Sequence, residues 1–534
     1  MRFIPLALCL CLIPVAGLFT IYQPFWGGVL VALAACASAI GVYDFTQNKS
    51  AVLKNYPLSA RLRFLFEHFR PEIRQYFLES DHEETPFSRE QRALVYRRAK
   101  GMEGLRPFGT LRNVNEIGHE WINHSMVPSH IDSQDFRIRI GGPDCQQPYM
   151  SSVMNISGMS YGALSPNAIE ALNKGAKLGG FAHTTGEGAI SRFHREHGGD
   201  LIWQIGSGYF GCRNLDGTFA PEKFAQTAAD DQVKMIEIKL SQGAKPGHGG
   251  ILPGAKVSEA IAEARGVPVG QDCISPAAHS EFSTPLELCA FIGRLRELAR
   301  GKPVGVKLCV GHPWEFFAFA KAMRETGSIP DFITIDGSEG GTGAAPVEFA
   351  DHRGAPIREG VMLVHNTLTG IGLRDRIKLI VSGKIISAFD MCRLFALGAD
   401  GCNVARGFMF AIGCIQAQVC HSGKCPTGVT TQEPGRYRAL VVDDKFQRVA
   451  NYHRSTLNAL KETIESAGLG APADLSPHHL MIRVNSREVR SAASQYLWVD
   501  AGELDRTELS HPAFAKYWPQ ANAQGFAPAL TLAS

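Results

Sequence analysis

The 534-residue sequence has little net charge, no evident repeat and no framework for disulfides. Its formal net charge is +3, a surplus too small to indicate a nucleic-acid partner. Low-complexity tracts and short repeats are missing, which argues against a repeat protein. The 13 cysteines are odd in number and spread along a long chain, so a disulfide-stapled fold is a poor interpretation. With 45% hydrophobic and 20% charged residues, the composition is that of a folded protein with a large core.

Two stretches near the amino end lack charge altogether. Residues 3–22 and 26–43 are mostly apolar, and each approaches the ~20 residues that cross a bilayer. Basic residues flank the pair: Arg2, Lys49, Lys54, Arg61 and Arg63. The two runs therefore predict a transmembrane helical hairpin over residues 1–45 in the cytoplasmic membrane. By the positive-inside rule, the basic flanks place the rest of the chain in the cytoplasm. A signal peptide and a buried core hairpin are the alternatives.

The middle of the chain alternates short apolar runs with helical segments. The clearer runs are 153–156, 201–205, 235–239, 304–308, 332–336, 378–382 and 401–405, and two weaker ones lie near 181–184 and 269–274. The alternation predicts a parallel (β/α)8 barrel, and nine candidates for eight strands mean that one assignment is wrong. A doubly wound open sheet is the alternative fold. We expect the barrel domain to span 136–450, a helical linker or subdomain to span 46–135, and a helical extension to span 451–534.

Polar, glycine-rich segments follow the last three strand candidates, at the end of a barrel where function resides. They comprise Asp336, Gly340, Gly341 and Gly343 after the first, Ser382, Gly383 and Lys384 after the second, and Arg406 after the third. Loops in this position commonly bind phosphate through backbone N–H groups, and an arginine adds charge-assisted hydrogen bonds. The pattern therefore predicts a ligand or cofactor that carries phosphate.

Two lysines six residues apart lie in another glycine-rich loop. Lys239 ends an apolar strand candidate and Lys245 follows it. The strand would direct Lys239 into the barrel mouth, where an anionic ligand is expected, whereas a solvated surface loop is the alternative. Glu187, within the segment TTGEG, is either a turn carboxylate or a group that carries protons.

Three cysteines form a C-x5-C-x4-C run that ends in proline: Cys414, Cys420 and Cys425. Three thiolates can close around one metal centre, and three rather than four would leave one corner of an iron–sulfur cube without a protein ligand. A Cys3His zinc site with His421 is a second interpretation, although His421 adjoins Cys420 and both would have difficulty reaching one ion. Ordinary buried cysteines are the third.

Several segments between about residues 140 and 435 resemble the flavin-binding synthase domain of glutamate synthases. They are MSYGALS (159–165), TGEG (185–188), IKLSQGAKPG (238–247), GGTGAA (340–345), GLRDR (372–376) and CPTGVTTQ (425–432). The resemblance implies an FMN-binding barrel with a [3Fe–4S] cluster. It also implies that 2-oxoglutarate and ammonia form an imine, which the reduced flavin converts to glutamate by hydride transfer. The cluster would pass electrons to the flavin from a donor, such as a ferredoxin-like or membrane-associated protein.

The resemblance also implies roles for single residues. Gln242, Lys245 and Arg265 would hold the keto acid, and Glu187 and Lys245 would act in catalysis. The residues implied to face or hold the flavin and its phosphate are Met159, Ser160, Lys239, Asp336, Gly340, Gly341, Gly343, Ser382, Gly383, Lys384 and Arg406.

The sequence departs from the family in ways that bear on the substrate. It lacks an amino-terminal cysteine nucleophile and a glutaminase domain, so we expect ammonia to come from outside this chain. His248 stands where the family usually has glutamate and His183 where it has asparagine, and both positions are expected to border the pocket. A related keto acid or an amine therefore remains open. The alternative function is a membrane-tethered flavin and iron–sulfur protein that transfers electrons or regulates, without synthase activity.

Overall fold

The computed structural model describes residues 2–47, 49–83, 86–102 and 104–529, and it contains two compact units, Met1–Glu90 and Gln91–Ser534. Helices of the first unit are Ile4–Phe19, Pro24–Thr46, Ala51–Asn55 and Ser59–Ile73, followed by the π-helical turn Arg74–Leu78. Among the described residues, the 23-residue helix Pro24–Thr46 is long and apolar enough to cross a membrane, and the 16-residue helix Ile4–Phe19 is shorter. Length and composition alone do not place a helix in a membrane, so the membrane hairpin stays a prediction.

Eight parallel strands of the second unit close into a barrel, which confirms the predicted fold and excludes the open sheet. They are β1 Met154–Ile156, β2 His183–Thr184, β3 Leu201–Ile205, β4 Val233–Lys239, β5 Val304–Leu308, β6 Phe332–Asp336, β7 Lys378–Ser382 and β8 Gly401–Val404. Strands that follow one another in the chain are neighbours, and β8 returns to β1 with Asn403 opposite Asn155.

The strand candidate near 269–274 is the wrong one of the nine. Its residues form Cys273–Ser275, which pairs antiparallel with Gly250–Leu252 outside the barrel. Ile274, in the middle of this short strand, is 60% exposed. Barrel strands are covered on both faces, and β3, for example, is buried at all five residues.

Helices surround the barrel and several begin at the predicted signals. Ser165 accepts a hydrogen bond from the Ala168 N–H at the start of Pro166–Gly179, and Thr284 and Glu287 form the expected capping box of Pro285–Leu298. The other helices are Arg89–Ala99, Arg192–Arg195, Pro221–Ala228, Glu259–Arg265, Pro313–Thr326, Val347–His352, Ile357–Gly370, Ala388–Ala396, Arg406–Ala411, Pro434–Tyr437, Val442–Ser466, Ala492–Gln495 and Pro512–Tyr517.

Short antiparallel strands lie on either side of the barrel sequence. Glu120–Ile122 pairs with Leu480–Arg483, which also pairs with Val489–Ser491. The segments predicted as a helical linker (46–135) and a helical extension (451–534) therefore contain strands as well. In Leu480–Arg483 buried and half-buried residues alternate, as expected for a strand with one covered face.

Apolar side chains fill the end of the barrel where the strands begin. Ile140, from the hairpin of Arg137–Ile140 with Tyr149–Ser152, packs in one buried cluster with Ala182, Ile202, Met235, Phe332 and Ile380. Ala182, Ile202 and Phe332 lie at or beside the start of their strands, and Met235 and Ile380 lie two residues further in. The charged residues Lys239 and Asp336 are instead the last residues of β4 and β6.

Candidate functional site

A carboxylate and three cations meet at the carboxyl ends of the strands. The Lys239 Nζ, at the end of β4, lies 2.8 Å from the Glu187 Oε1, in the loop after β2. Burial tends to raise the pKa of Glu187, but Lys239, then Lys245 and Arg265, outweigh burial and lower this pKa. Burial lowers the pKa of Lys245, and Glu187 opposes that shift. We call Glu187, Lys239, Lys245 and Arg265 the cationic cluster.

Glycines allow the Glu187 loop to pack closely on the loop after β1. Gly186 has a φ of +69°, and a side chain there would meet the Ser160 backbone nitrogen at 2.5 Å. The Gly188 N–H donates to the Ser160 Oγ over 3.2 Å. Met159 is buried beside it. The predicted residues Met159 and Ser160 are therefore brought to Glu187.

Arg265 is buried at the end of the helix Glu259–Arg265 and is held by several contacts. Its Nη2 donates to the Tyr161 carbonyl over 3.1 Å, and its guanidinium lies 5.2 Å from the centre of the Phe210 ring. A side chain at Gly188 would lie 2.9 Å from the same Nη2. The guanidinium therefore borders the Glu187 loop as a fixed positive charge.

A second ionic group surrounds Asp336 at the end of β6. The Lys307 Nζ lies 3.5 Å from Asp336 Oδ2, the Gly243 N–H donates to the same oxygen over 2.8 Å, and the Ser382 hydroxyl donates to Oδ1. Burial tends to lower the pKa of Lys307, but Asp336, then Glu237, outweigh burial and raise it. Gln242 directly precedes Gly243, so the loop that carries Gln242 and Lys245 runs beside Asp336.

A buried polar layer lies one step deeper in the barrel. Glu237 in β4 is 1% exposed and accepts hydrogen bonds from the Gln204 Nε2 at 2.5 Å and the Thr334 Oγ1 at 2.6 Å. Sequence reasoning missed Lys307, Glu237, Gln204 and Thr334. The available signal was a charged or polar residue inside an otherwise apolar strand, as for Lys307 in VGVKL.

The residues predicted to hold phosphate lie at the ends of β7 and β8, which are neighbouring strands. Gly383 has a φ of +146° and Lys384 one of +47°, so the backbone turns sharply where Ser382 ends β7. The Arg406 Nη2 donates to the Thr342 carbonyl over 3.2 Å. A side chain at Gly341 would lie 3.6 Å from the Arg406 Nε. Arg406 thus joins the end of β8 to the glycine-rich loop 340–343.

The cysteine loop packs beside that glycine-rich loop. Cys414 and Cys425 are buried and Cys420 is half-buried. A side chain at Gly343 would lie 3.9 Å from the Cys420 Cβ, and the Lys256 Nζ donates to the His421 carbonyl over 2.7 Å. The loop is therefore next to the mouth of the barrel.

The three thiols lie in different surroundings. Burial raises the pKa of Cys414, Arg406 opposes this, and Cys420 and Cys425 add to it, so the thiols influence one another. Burial also tends to raise the pKa of Cys425, but N–H and hydroxyl groups of Thr430 and Thr427 lower it, as donors around a cluster thiolate do. Within the described part of the chain, no group of three or more His, Cys, Asp or Glu side chains is placed to hold a metal ion, so the metal centre at these cysteines stays a prediction.

The two histidines expected to border the pocket do not join the cationic cluster. His183 is fully buried, and its ring lies 5.2 Å from that of His194 in the helix Arg192–Arg195. Successive strand residues face opposite ways, and Ala182 belongs to the interior cluster, so His183 faces the surrounding helices and its predicted place is wrong. Burial lowers its pKa to about 3. His248 is exposed and its ring lies 5.1 Å from that of Phe349.

The fold and these side chains define a (β/α)8 barrel protein whose mouth carries fixed positive charge and glycine-rich loops. Barrels with this combination bind anionic ligands at the carboxyl ends of their strands.

Comparison with known proteins identifies the family of this chain. The model of a conserved region in glutamate synthase matches residues 129–470, and the chain belongs to the glutamate synthase family. It is 38% identical over 497 residues to the glutamate synthase large subunit-like protein YerD of Bacillus subtilis, covering 85% of this chain and 94% of that protein. It is 35% identical over 355 residues to an archaeal-type glutamate synthase (NADPH) of Thermotoga sp., covering 66% of each. The archaeal glutamate synthase (NADPH) of Methanocaldococcus jannaschii is 36% identical over 338 residues, covering 62% of this chain and 63% of that one.

Proposed function

We propose that the chain is an oxidoreductase of the glutamate synthase type, dependent on FMN and an iron–sulfur cluster. It would reduce an imine formed from 2-oxoglutarate, or a related keto acid, and ammonia or an amine. The observation that carries this proposal is the cationic cluster. In it, the Lys239 Nζ lies 2.8 Å from the Glu187 Oε1, and Lys245 and Arg265 act on the same carboxylate.

The cationic cluster suits a substrate with two carboxylates. Arg265 offers a planar, rigidly held guanidinium, and Lys245 offers a compact charge whose pKa is lowered by burial. Burial disfavours the ammonium form of Lys245. A dicarboxylic keto acid bound between the two cations would add a negative charge that favours this form. Gln242 is assigned to the same clamp because it belongs to the motif that resembles the family and lies three residues before Lys245 in the same loop.

The residues at the ends of β6, β7 and β8 suit FMN. Ser382, Gly383, Lys384 and Arg406 would hold the phosphate, and the glycines of loop 340–343 let the backbone approach the cofactor. Met159, Ser160, Lys239 and Asp336 would face the ring system. FMN, when bound, supplies the hydride; the protein supplies orientation and charge.

The chain's own acid–base groups are Glu187 and its lysine neighbours. Because the pKa of Glu187 is lowered overall, Glu187 is an anion at neutral pH and can accept a proton but not donate one. Lys239, 2.8 Å away, is the nearest donor. We therefore assign Glu187 to proton acceptance and to holding the lysines charged, and Lys245 to binding and polarising the keto acid.

Cys414, Cys420 and Cys425 are proposed to hold a [3Fe–4S] cluster that passes electrons to the flavin. Arg406 supports this because it contacts the glycine-rich loop and also acts on the Cys414 thiol. The external electron donor would be a ferredoxin-like or membrane-associated protein. We propose that the helix Pro24–Thr46, with Ile4–Phe19, anchors the chain in the cytoplasmic membrane with the barrel in the cytoplasm.

The experiment is to purify the full chain in detergent and measure its flavin, iron and visible spectrum. Chemical reduction is followed by addition of 2-oxoglutarate and ammonium, and glutamate is assayed. We expect a yellow-brown protein that forms glutamate while its flavin is reoxidised. A colourless protein would overturn the proposal. A flavin that cycles with redox dyes but ignores every keto acid would favour the electron-transfer alternative.

A further inference from the structure

The helix Ser59–Ile73 and the π-helical turn Arg74–Leu78 that continues it carry an exposed apolar face. Its members are Leu62 57%, Leu65 48%, Phe66 64%, Phe69 49%, Ile73 40%, Tyr76 52% and Phe77 83% exposed. At about 100° per residue, these positions fall within a sector of about 120°. Phe64 is the one large apolar side chain of Ser59–Ile73 outside this sector. We call the seven side chains the aromatic face.

Arginines flank this face. At about 100° per residue, Arg63, Arg70 and Arg74 lie roughly 80–120° from its centre, and residues 59–78 contain four arginines against two glutamates. Arg63 pairs with Glu67 at 2.9 Å and Arg74 with Glu83 at 2.5 Å. These charges fall in the middle of the segment, where a membrane-spanning helix tolerates them poorly. An apolar face flanked by arginines is instead typical of a helix that lies in the membrane surface.

An ion pair ties the start of this helix to the end of the apolar helix Pro24–Thr46. The Arg61 Nη2 lies 2.6 Å from the Oδ1 of Asp44, which is fully buried. The Leu58 N–H donates to the Asp44 Oδ2 over 3.2 Å. If Pro24–Thr46 crosses the membrane, its last turn lies at the surface of the bilayer. The aromatic face therefore begins at that surface.

We propose that residues 59–78 lie along the cytoplasmic surface of the membrane, with the aromatic face among the lipid chains and the arginines among anionic head groups. This inference rests on the proposed membrane anchor, but it assigns a partner to a segment outside that anchor. Seven exposed large apolar side chains on one side of a helix require a partner, because faces of this size mark interaction sites. The flanking arginines match an anionic lipid surface in charge.

Photocrosslinking of the full chain in membranes tests the inference. A photoreactive phenylalanine analogue replaces Phe66, Phe69 or Phe77, and the matched controls place it at Phe64 or Glu67, outside the aromatic face. Flavin and iron content, measured on each variant, checks that the barrel unit is intact. We expect lipid adducts at the three phenylalanine positions in at least about fivefold higher yield than at the controls. Adducts mainly to the barrel or to a second copy of the chain, or equal lipid yields at all positions, would overturn the inference.

Two further measurements test the role of the arginines and the membrane anchor separately. In vesicles of neutral phosphatidylcholine, we expect the lipid adduct at Phe69 to fall severalfold relative to vesicles containing phosphatidylglycerol. Equal yields would contradict the role of the arginines. Alkaline carbonate extraction reports on the anchor alone: a chain released into solution overturns the anchor and this inference together. A retained chain whose aromatic face crosslinks to protein overturns this inference only.

Discussion

Glu187 and Glu237 are two carboxylates on neighbouring parts of one barrel, and their surroundings differ in kind. Glu187 is half-buried in a glycine-lined loop, and its neighbours are cations. Glu237 is 1% exposed, and its hydrogen-bond donors are the uncharged side chains of Gln204 and Thr334. The first carboxylate has charged neighbours and room for a ligand. The second has its oxygens occupied by the protein.

From this difference we expect Glu187 to serve the chemistry and Glu237 to serve the stability of the barrel. The cations of the cluster share the single carboxylate of Glu187, so a second anion would stabilise their charged forms. A keto acid would supply that anion. A buried carboxylate with satisfied oxygens gains nothing from a ligand and is costly to disturb. Substitutions at the two positions should therefore affect different measurements.

The largest effect is expected for Glu237→Ala. Removing this carboxylate leaves the Gln204 amide and the Thr334 hydroxyl without their partner and withdraws a negative charge near Lys307. We expect the free energy of unfolding of the barrel to fall by about 3–5 kcal/mol, as measured by urea unfolding. Glu222→Ala, on the helix Pro221–Ala228, is the control and should change it by less than about 0.5 kcal/mol. Equal losses would contradict the structural role.

Lys245→Ala should reduce activity rather than stability. It removes a charge proposed to hold a substrate carboxylate, so kcat/KM for 2-oxoglutarate should fall by roughly 100-fold, about 2.7 kcal/mol. The unfolding midpoint should change little, because burial already disfavours the charged form of this lysine. Lys177→Ala, on the helix Pro166–Gly179, is the control. An unchanged KM and kcat in the Lys245 variant would remove this residue from the site.

Glu187→Gln should lower kcat by about tenfold to 100-fold while leaving flavin content unchanged. The glutamine keeps the shape but not the charge, so Lys239 loses its ion pair. Activity is measured with a saturating keto acid, which separates kcat from binding. A loss of flavin instead would show that Glu187 supports the cofactor site and not the chemistry.

The smallest predicted effect is on the pH dependence of stability. The pKa of Glu187 is lowered in the folded chain, because its cationic neighbours outweigh burial. Its contribution to stability is therefore intact above the usual glutamate pKa of about 4.3 and is lost as pH falls through the lowered value. The difference in melting temperature between the parent and Glu187→Gln should shrink as pH falls from 7 toward 3. A difference independent of pH would contradict the charge assignment.

The sequence was sufficient to predict the barrel because strand–helix alternation and caps such as Thr284–Glu287 are local patterns. It was not sufficient to decide between 181–184 and 269–274, since both are short apolar runs and only closure of the barrel separates them. Sequence motifs identified Glu187, Lys239 and Asp336 as separate candidates and did not show which of them lie together. The partnership of Glu237 with Gln204 and Thr334 depends on strand register, which a run of residues does not encode.

His183 illustrates the same limit. A strand only two residues long gives no alternation from which to read its direction, so the sequence could not tell that His183 faces His194 and not the pocket. His183, which stands where the family usually has asparagine, therefore affects the packing between the barrel and its surrounding helices. His248 follows Lys245 by three residues in the same loop, so it is the departure that lies nearer in sequence to the cationic cluster.

The most direct test of the central claim is a single turnover. The full chain is reduced stoichiometrically without oxygen and mixed with 2-oxoglutarate and ¹⁵N-ammonium, while flavin absorbance and labelled glutamate are followed. We predict about one labelled glutamate per flavin reoxidised when the cluster stays oxidised. A flavin that stays reduced, with no labelled amino acid from 2-oxoglutarate or related keto acids, would contradict it.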